Sequence, residues 1–268
     1  MNSFSLDSVL AAVASRAAGR RRERSLDDLR SAVGAEPSRR KRFLGALSGE
    51  CLSLIAEFKR RAPSSGALAD EPDPSPRLHA YAEAGASAVS ILTEQDFFDG
   101  SLADLEAGAT CGLPRLRKDF ILDEAMVLES ALNGADAILL IVACIDGGLL
   151  GELRAAAGEH GLAVLVEVHG PEELDRALDT SPDCLGVNSR NLKTLEINPE
   201  AAAEVLARIP EGPLKVAESG VSSLEGLLAA RAFGADAALV GTALMREKEP
   251  LPLLASWVHA LAEEASHA

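Results

Sequence analysis

The chain has 268 residues, 47% hydrophobic and 25% charged, with a formal net charge of −15. That is globular composition rather than disorder, and an acidic body argues against general affinity for nucleic acid, which phosphate neutralisation drives. The longest uninterrupted apolar run, Ala137 to Ile145, falls far short of the ~20 residues a bilayer span needs. Neither nucleic acid nor membrane is therefore an expected partner. The apolar stretch from Val9 to Val13 has its arginines after it, not before it as a secretory leader would. The 4 cysteines, at positions 51, 111, 144 and 184, include no CxxC pair, so neither a disulfide framework nor a metal site is implied. Reduced thiols in a cytoplasmic protein fit them.

Charge is unevenly spread. Residues 1–61 hold 13 Lys/Arg and 7 Asp/Glu, a balance of +6, whereas residues 62–268 hold 13 and 34, a balance of −21. The basic runs Arg20-Arg21-Arg22-Glu23-Arg24 and Arg39-Arg40-Lys41-Arg42 carry no interleaved aromatics. They read as a solvated helix face or a patch that attracts anionic substrate, ahead of a nucleic-acid arm. Residues 1–48 are expected to form a helical extension of one or two helices, within a single domain spanning 1–268.

From residue 52 onward short aliphatic runs alternate with helical stretches. Strands are predicted at Leu52–Phe58, Ala88–Thr93, Arg115–Asp119, Asp136–Val142, Val164–Val168, Cys184–Asn188, Leu214–Glu218 and Ala237–Val240. Between them lie amphipathic segments such as Ser101–Ala109, Asp123–Asn133, Pro171–Asp179, Pro199–Arg208 and Ser222–Phe233. Near-continuous apolar strands separated by helices indicate parallel pairing with both faces covered. The repeats Gly85-Ala86-Ser87, Gly134-Ala135-Asp136 and Gly234-Ala235-Asp236 each close a helix and open a strand. Eight such units predict an α/β fold of the (β/α)8 TIM-barrel type with an N-terminal helical extension. An open doubly wound sheet competes, but no Gly-rich dinucleotide fingerprint follows the first strand. The Pro-rich segment Glu71–Pro76 reads as a mobile loop after that strand.

In such a barrel the reactive residues stand at the C-terminal strand ends. Strand one ends in Glu57 and Lys59, on the same side of the strand, and strand three in Lys118 and Asp119. Strand five presents Glu167, with His169 two residues on. Strand six ends in Asn188, Ser189 and Arg190, strand seven in Glu218, Ser219 and Gly220, and strand eight in Gly241 and Thr242. A single charged residue at a strand end is commonly solvated or structural. So many around one mouth would be costly to bury unless they pair or meet a charged ligand. Glycines and hydroxyls after the last two strands are placed as in phosphate-binding barrels. Phe97-Phe98 and Phe120 fit either an aromatic substrate pocket or ordinary core packing.

Several of these residues fall in motifs that resemble those of the indole-3-glycerol phosphate synthase family. They are Glu57-Phe58-Lys59-Arg60-Arg61-Ala62-Pro63-Ser64-Ser65-Gly66; Leu92-Thr93-Glu94 with Phe97-Phe98-Asp99-Gly100-Ser101; Leu116-Arg117-Lys118-Asp119-Phe120; Leu165-Val166-Glu167-Val168; Gly186-Val187-Asn188-Ser189-Arg190-Asn191-Leu192; and Glu218-Ser219-Gly220-Val221. They occur in order from about residue 50 to Arg246. The resemblance implies decarboxylating ring closure and dehydration of 1-(2-carboxyphenylamino)-1-deoxyribulose 5-phosphate in tryptophan biosynthesis, without a cofactor. By the same resemblance Lys118 is the general acid, Glu167 the general base, and Glu57 stabilises charge at the anilino nitrogen. Lys59 assists proton transfer, and Asn188, Arg190, Glu218 and Ser219 orient groups around them. Lys59, Ser219, Gly220, Gly241 and Thr242 would hold the phosphate, while Ser64, Phe98, Phe120 and Leu140 would contact the anthranilate portion.

One departure stands out: the family's usual Ser-Pro-Ser is Ala62-Pro63-Ser64 here, which removes a hydroxyl from the loop after strand one. A phosphoribosylanthranilate isomerase is the nearest rival. Its cysteine or aspartate acid–base pair does not match lysines and glutamates. A non-catalytic metabolite-binding subunit would have no need of both Lys118 and Glu167. A monomer or weak homodimer acting on an anionic phosphosugar is the expected form.

Overall fold

In the computed structural model, which describes residues 5–266, each aliphatic run becomes a strand of one closed parallel barrel. The strands are β1 (Ser53–Phe58), β2 (Ala88–Leu92), β3 (Arg115–Lys118), β4 (Ala137–Ile141), β5 (Ala163–Val168), β6 (Cys184–Asn188), β7 (Leu214–Glu218) and β8 (Ala237–Val240). β1 closes the ring by pairing with both β8 and β2. Every residue of β1, β2, β4, β5, β6 and β8 is buried, as expected for strands covered on both faces.

Helices return the chain between strands. They include α4 (Ser75–Glu83), α5 (Leu102–Ala107), α6 (Glu124–Leu132), α7 (Gly147–Glu159), α8 (Pro171–Leu178), α9 (Pro199–Leu206) and α10 (Leu224–Ala232). α11 (Thr242–Arg246) and α12 (Pro250–Ala265) follow β8. Short polar side chains start several of them; Asp123 accepts from Met126 N–H and Ser223 from Gly226 N–H. The repeated glycines close them: Gly85, Gly134 and Gly234 have φ of 90°, 80° and 87°, open to glycine at little cost. The aspartate that follows two of these turns does further work. Asp136 accepts from Arg115 N–H at 2.8 Å and Asp236 from Lys215 N–H at 2.7 Å, so each ties its own strand's entry to the neighbour's.

The extension consists of three helices rather than one or two: α1 (Leu6–Glu23), α2 (Leu26–Ala32) and α3 (Ser38–Leu47). α3 lies across the N-terminal ends of the strands, where Phe43 and Leu47 are fully buried. Its basic run remains largely solvated, as a helix face, but its arginines are engaged. Arg40 pairs with Asp183, and Arg42 reaches Asp136 at 3.3 Å and the Gly112 carbonyl at 2.8 Å. From α1, Arg20 meets Glu129 at 2.7 Å, Arg21 meets Asp123 at 3.2 Å, and Arg16 pairs with Glu94 and Asp96. These five arginines are thus paired with acids of the barrel, while Arg22, Arg24 and Lys41 stay exposed.

The Glu71–Pro76 segment is anchored as well. Arg60 donates to the carbonyls of Glu71 (2.7 Å) and Pro72 (3.0 Å), Arg77 clasps the Glu71 carboxylate, and α4 already begins at Ser75. No helix among the described residues is long and apolar enough to cross a membrane.

Candidate active site

The C-terminal ends of the strands surround a cavity of about 410 Å³ to which all eight strands contribute. Around the ring come Glu57 and Lys59, Leu92, Lys118, Leu139 and Ile141, Glu167, Asn188, Glu218, and Leu239. Register explains the convergence of the acids. Glu167 stands beside Gly186 across β5 and β6, and Asn188 beside Glu218 across β6 and β7.

Two ion-pair groups divide the floor. Glu57 and Lys59 lie two residues apart, and Lys59 Nζ donates to Glu57 Oε1 at 2.5 Å. The other group centres on Lys118, whose Nζ is 2.9 Å from Glu167 Oε2 and 3.3 Å from Glu218 Oε2. Asn188 Nδ2 donates to Glu167 Oε1 at 3.1 Å. Glu167 and Glu218 are 1% and 2% exposed, too little for water to balance their charge. Burial lowers the Lys118 pKa, but Glu167, Glu218 and Glu57 together outweigh it and raise it above the ordinary lysine value. Lys118 is therefore an ammonium. Burial raises the Glu167 pKa, yet Lys118 dominates and holds it well below the usual carboxylate range. Glu218 takes the opposite course: burial, then the Glu167 charge, pushes it up to about 8. One cation between two carboxylates keeps one ionised and leaves the other its proton.

Two glycines make room for these acids. A Cβ on Gly186 would lie 2.0 Å from Glu218 Oε1. One on Gly241 would lie 2.1 Å from Glu57 Oε1 and 2.9 Å from Lys59 Nζ.

The remaining rim is polar on one side and apolar on the other. After β7 the chain turns through Ser219 (φ 61°) and Gly220 (φ 74°), left-handed backbone at two successive positions. Both line the cavity, beside Gly241 and Thr242 at the start of α11. Arg190 reaches in as well. Its main-chain N–H donates to Asn188 Oδ1 at 3.0 Å and its Nη1 to the Leu195 carbonyl. Its guanidinium has no carboxylate partner among the described residues. Opposite, the rings of Phe98 and Phe120 lie 6.5 Å apart at 45°. Ala62, Pro63 and Ser64, in the short hairpin after β1, complete the wall.

Thus Glu57, Lys59, Ser64, Phe98, Lys118, Phe120, Glu167, Asn188, Arg190, Glu218, Ser219, Gly220, Gly241 and Thr242 all line one cavity. Leu140 does not. Successive strand residues face opposite ways, so Leu139 and Ile141 line the cavity while Leu140 points outward into the barrel's outer core. Asp119 lines the cavity but is spoken for, accepting from Thr93 (2.6 Å), Arg117 (2.9 Å) and its neighbour Phe120 N–H (2.8 Å). Arg246, from α11, is a lining residue the motifs did not single out.

A sequence profile of the family described as indole-3-glycerol phosphate synthase matches residues 6–253. The chain belongs to that family. A relative named indole-3-glycerol phosphate synthase from Parafrankia sp. (strain EAN1pec) is 45% identical, over 95% of either chain. One from Streptomyces griseus is 42% identical over 97% of each. Among solved structures, KGPDC from Streptococcus mutans aligns with a TM-score of 0.60 at 13% identity, covering 80% of this chain and 98% of that one. Thiamine phosphate pyrophosphorylase from Pyrococcus furiosus aligns at 0.59 and 14% identity, over 82% and 98%. At those identities the structures speak only for the shared barrel. Family membership makes the chain an indole-3-glycerol phosphate synthase, a decarboxylating carbon–carbon lyase of tryptophan biosynthesis acting on a phosphorylated small molecule.

Proposed function

We propose that this synthase closes the indole ring of 1-(2-carboxyphenylamino)-1-deoxyribulose 5-phosphate with Lys118 as general acid and Glu167 as general base. The observation that carries the assignment is the pairing of the Lys118 ammonium with Glu167 at 2.9 Å inside the cavity. Ring closure joins the carboxylate-bearing aromatic carbon to the substrate's ketone carbon. The ketone oxygen must gain a proton as that bond forms, and a buried ammonium is the donor at hand. Glu57 faces the positive charge that develops on the anilino nitrogen, and Lys59 pairs with Glu57 across the floor.

Loss of CO2 returns an electron pair to the ring and restores its aromaticity. The apolar wall of Phe98, Phe120, Leu139 and Ile141 suits an anthranilate ring and a carboxylate that must shed water. Dehydration then breaks the bond to the new hydroxyl, which takes up one proton and leaves as water, while the neighbouring carbon yields one proton to Glu167, so the step is proton-neutral. Every step moves protons or carbon–carbon and carbon–oxygen bonds, so the chemistry calls for no cofactor. Ser219, Gly220, Gly241 and Thr242, with Lys59, are the proposed phosphate seat, and Arg190 the second positive contact. Glu218 and Asn188 keep the acid and base in place. Ser64 is the hydroxyl left to the substrate carboxylate after the replacement at Ala62.

One chain supplies the whole cavity, which supports a monomer or weak homodimer as the working form, and a cytoplasmic setting fits its role in biosynthesis. The test is a fluorescence assay for indole formation with the purified full chain. Turnover that vanishes in both Lys118→Ala and Glu167→Gln supports the roles. Wild-type kcat in either variant overturns that residue's assignment.

A further inference from the structure

Beside Glu167, and not among the residues that line the cavity, stands His169. It is one of the few histidines of the chain and the reaction scheme above does not use it. Its side chain is 12% exposed, and its Nε2 lies 3.2 Å from Glu167 Oε1 while its Nδ1 lies 3.5 Å from Glu173 Oε2. Both ring nitrogens are shut off from solvent, and neither contact meets hydrogen-bond geometry, so charge holds the ring in the resting state. Glu173 is itself fixed, because it sits in the first turn of α8 and accepts the His169 main-chain N–H at 2.8 Å.

We propose that His169, backed by Glu173, is a positioning residue that holds the Glu167 carboxylate in place when Lys118 turns to the substrate. The inference rests on Glu167 being the base. In the resting site Glu167 has four neighbours that favour its charged form: Lys118, Asn188, His169 and the protonated Glu218, of which only Lys118 and His169 are cations. Only Lys118 is required elsewhere during ring closure. Once it engages the ketone oxygen, Glu167 would be left buried beside Glu218 with its principal cation gone. His169 supplies the remaining charge and does not have to move, since it touches no substrate space.

The surroundings agree. Burial lowers the His169 pKa, but the Glu167 and Glu173 carboxylates overcome it and bring it to about 10, so the ring is an imidazolium at neutral pH. From the turn after β4, Cys144 also faces the two acids. Burial pushes its thiol up to about 12, so it adds no charge. Lys118 from β3, Glu218 from β7 and Asn188 from β6 complete the ionisable and polar groups around Glu167.

The experiment is steady-state kinetics of the full chain from about pH 3 to 9, over the range in which the parent stays folded, with His169→Ala, His169→Gln, Glu173→Gln and Glu167→Gln measured beside the parent. Loss of a charge-assisted contact to the base predicts that His169→Ala lowers kcat about tenfold and leaves KM within about twofold. Without its cation Glu167 ionises less readily, so the acidic limb of the kcat profile should move upward by about one pH unit. Glu173→Gln should shift the limb the same way by less. His169→Gln, which keeps an N–H but no charge, should recover part of kcat without returning the limb. A folded His169→Ala or His169→Gln enzyme whose limb stays with the parent overturns the proposal, even if its kcat falls. Glu167→Gln separates the two readings. If it alone is inactive while the His169 variants match the parent, only the positioning role fails; if it turns over normally, the base assignment fails first.

Discussion

The two ends of the barrel both bury carboxylates beside basic side chains, yet the ends are built to different rules. At the N-terminal end Asp136, Asp183 and Asp236 spend their oxygens on main-chain N–H groups of Arg115, Val164 and Lys215. Arg40 and Arg42 from α3 then balance the charge of two of them. At the C-terminal end Glu218 meets Lys118 at 3.3 Å and has no main-chain partner among the described residues, and Glu167 relies on side chains alone. Those acids look into an open cavity. Saturation by the backbone marks a buried acid that holds the fold, whereas an acid left to side chains beside empty space is available for chemistry.

That contrast can be broken most sharply at Lys118. Replacing it by Ala should cut kcat by about a thousandfold or more in the indole-fluorescence assay, with the circular-dichroism spectrum unchanged. The opposite signature belongs to the other end. Asp136→Ala strands the Arg115 N–H and should cost about 3 kcal/mol in a denaturant titration. Folded Asp136→Ala protein should keep the parent's kcat. A variant that lost activity at full stability would erase the distinction between the ends.

Glu218 gives a finer probe. Its folded pKa is raised to about 8 from an ordinary 4.5, so the fold favours its protonated form. That contribution is complete below about pH 4.5 and disappears as pH rises through 8. Glu218→Gln cannot ionise, so its Tm relative to the parent should climb between pH 5 and pH 8, and a flat difference would refute the protonated state. The smallest effect is expected at Arg42→Ala, whose side chain is 42% exposed. It should cost about 1 kcal/mol or less, and less still in high salt.

Much of this was legible in the residues, because the barrel's regularities are local. Eight aliphatic runs, glycine-closed helices and polar residues at strand ends each leave a mark a few residues long. Leu140 misled for a related reason. Ala137–Ile141 is apolar on both faces, so no polar residue marks which side points inward; only the register with β5, where Ile141 stands beside Glu167, settles the facing. The basic runs were opaque for another reason. Arg40 and Asp183 are separated by 143 positions, and nothing in either neighbourhood announces the other. His169 was visible as a strand-end histidine, but its second carboxylate, Glu173, is brought to it by the first turn of α8.

The two glycines at the mouth carry a consequence for how such a site can change. Gly186 and Gly241 contribute no functional group, yet the smallest side chain at either would stand where a carboxylate oxygen of Glu218 or Glu57 now stands. The proposed catalytic set is therefore partly made of vacancies, each matched to one acid. A lineage that enlarged either glycine would first have to shorten or turn its acid, and restoring the acid later would require the glycine to return. Each acid and the gap beside it can only be inherited together.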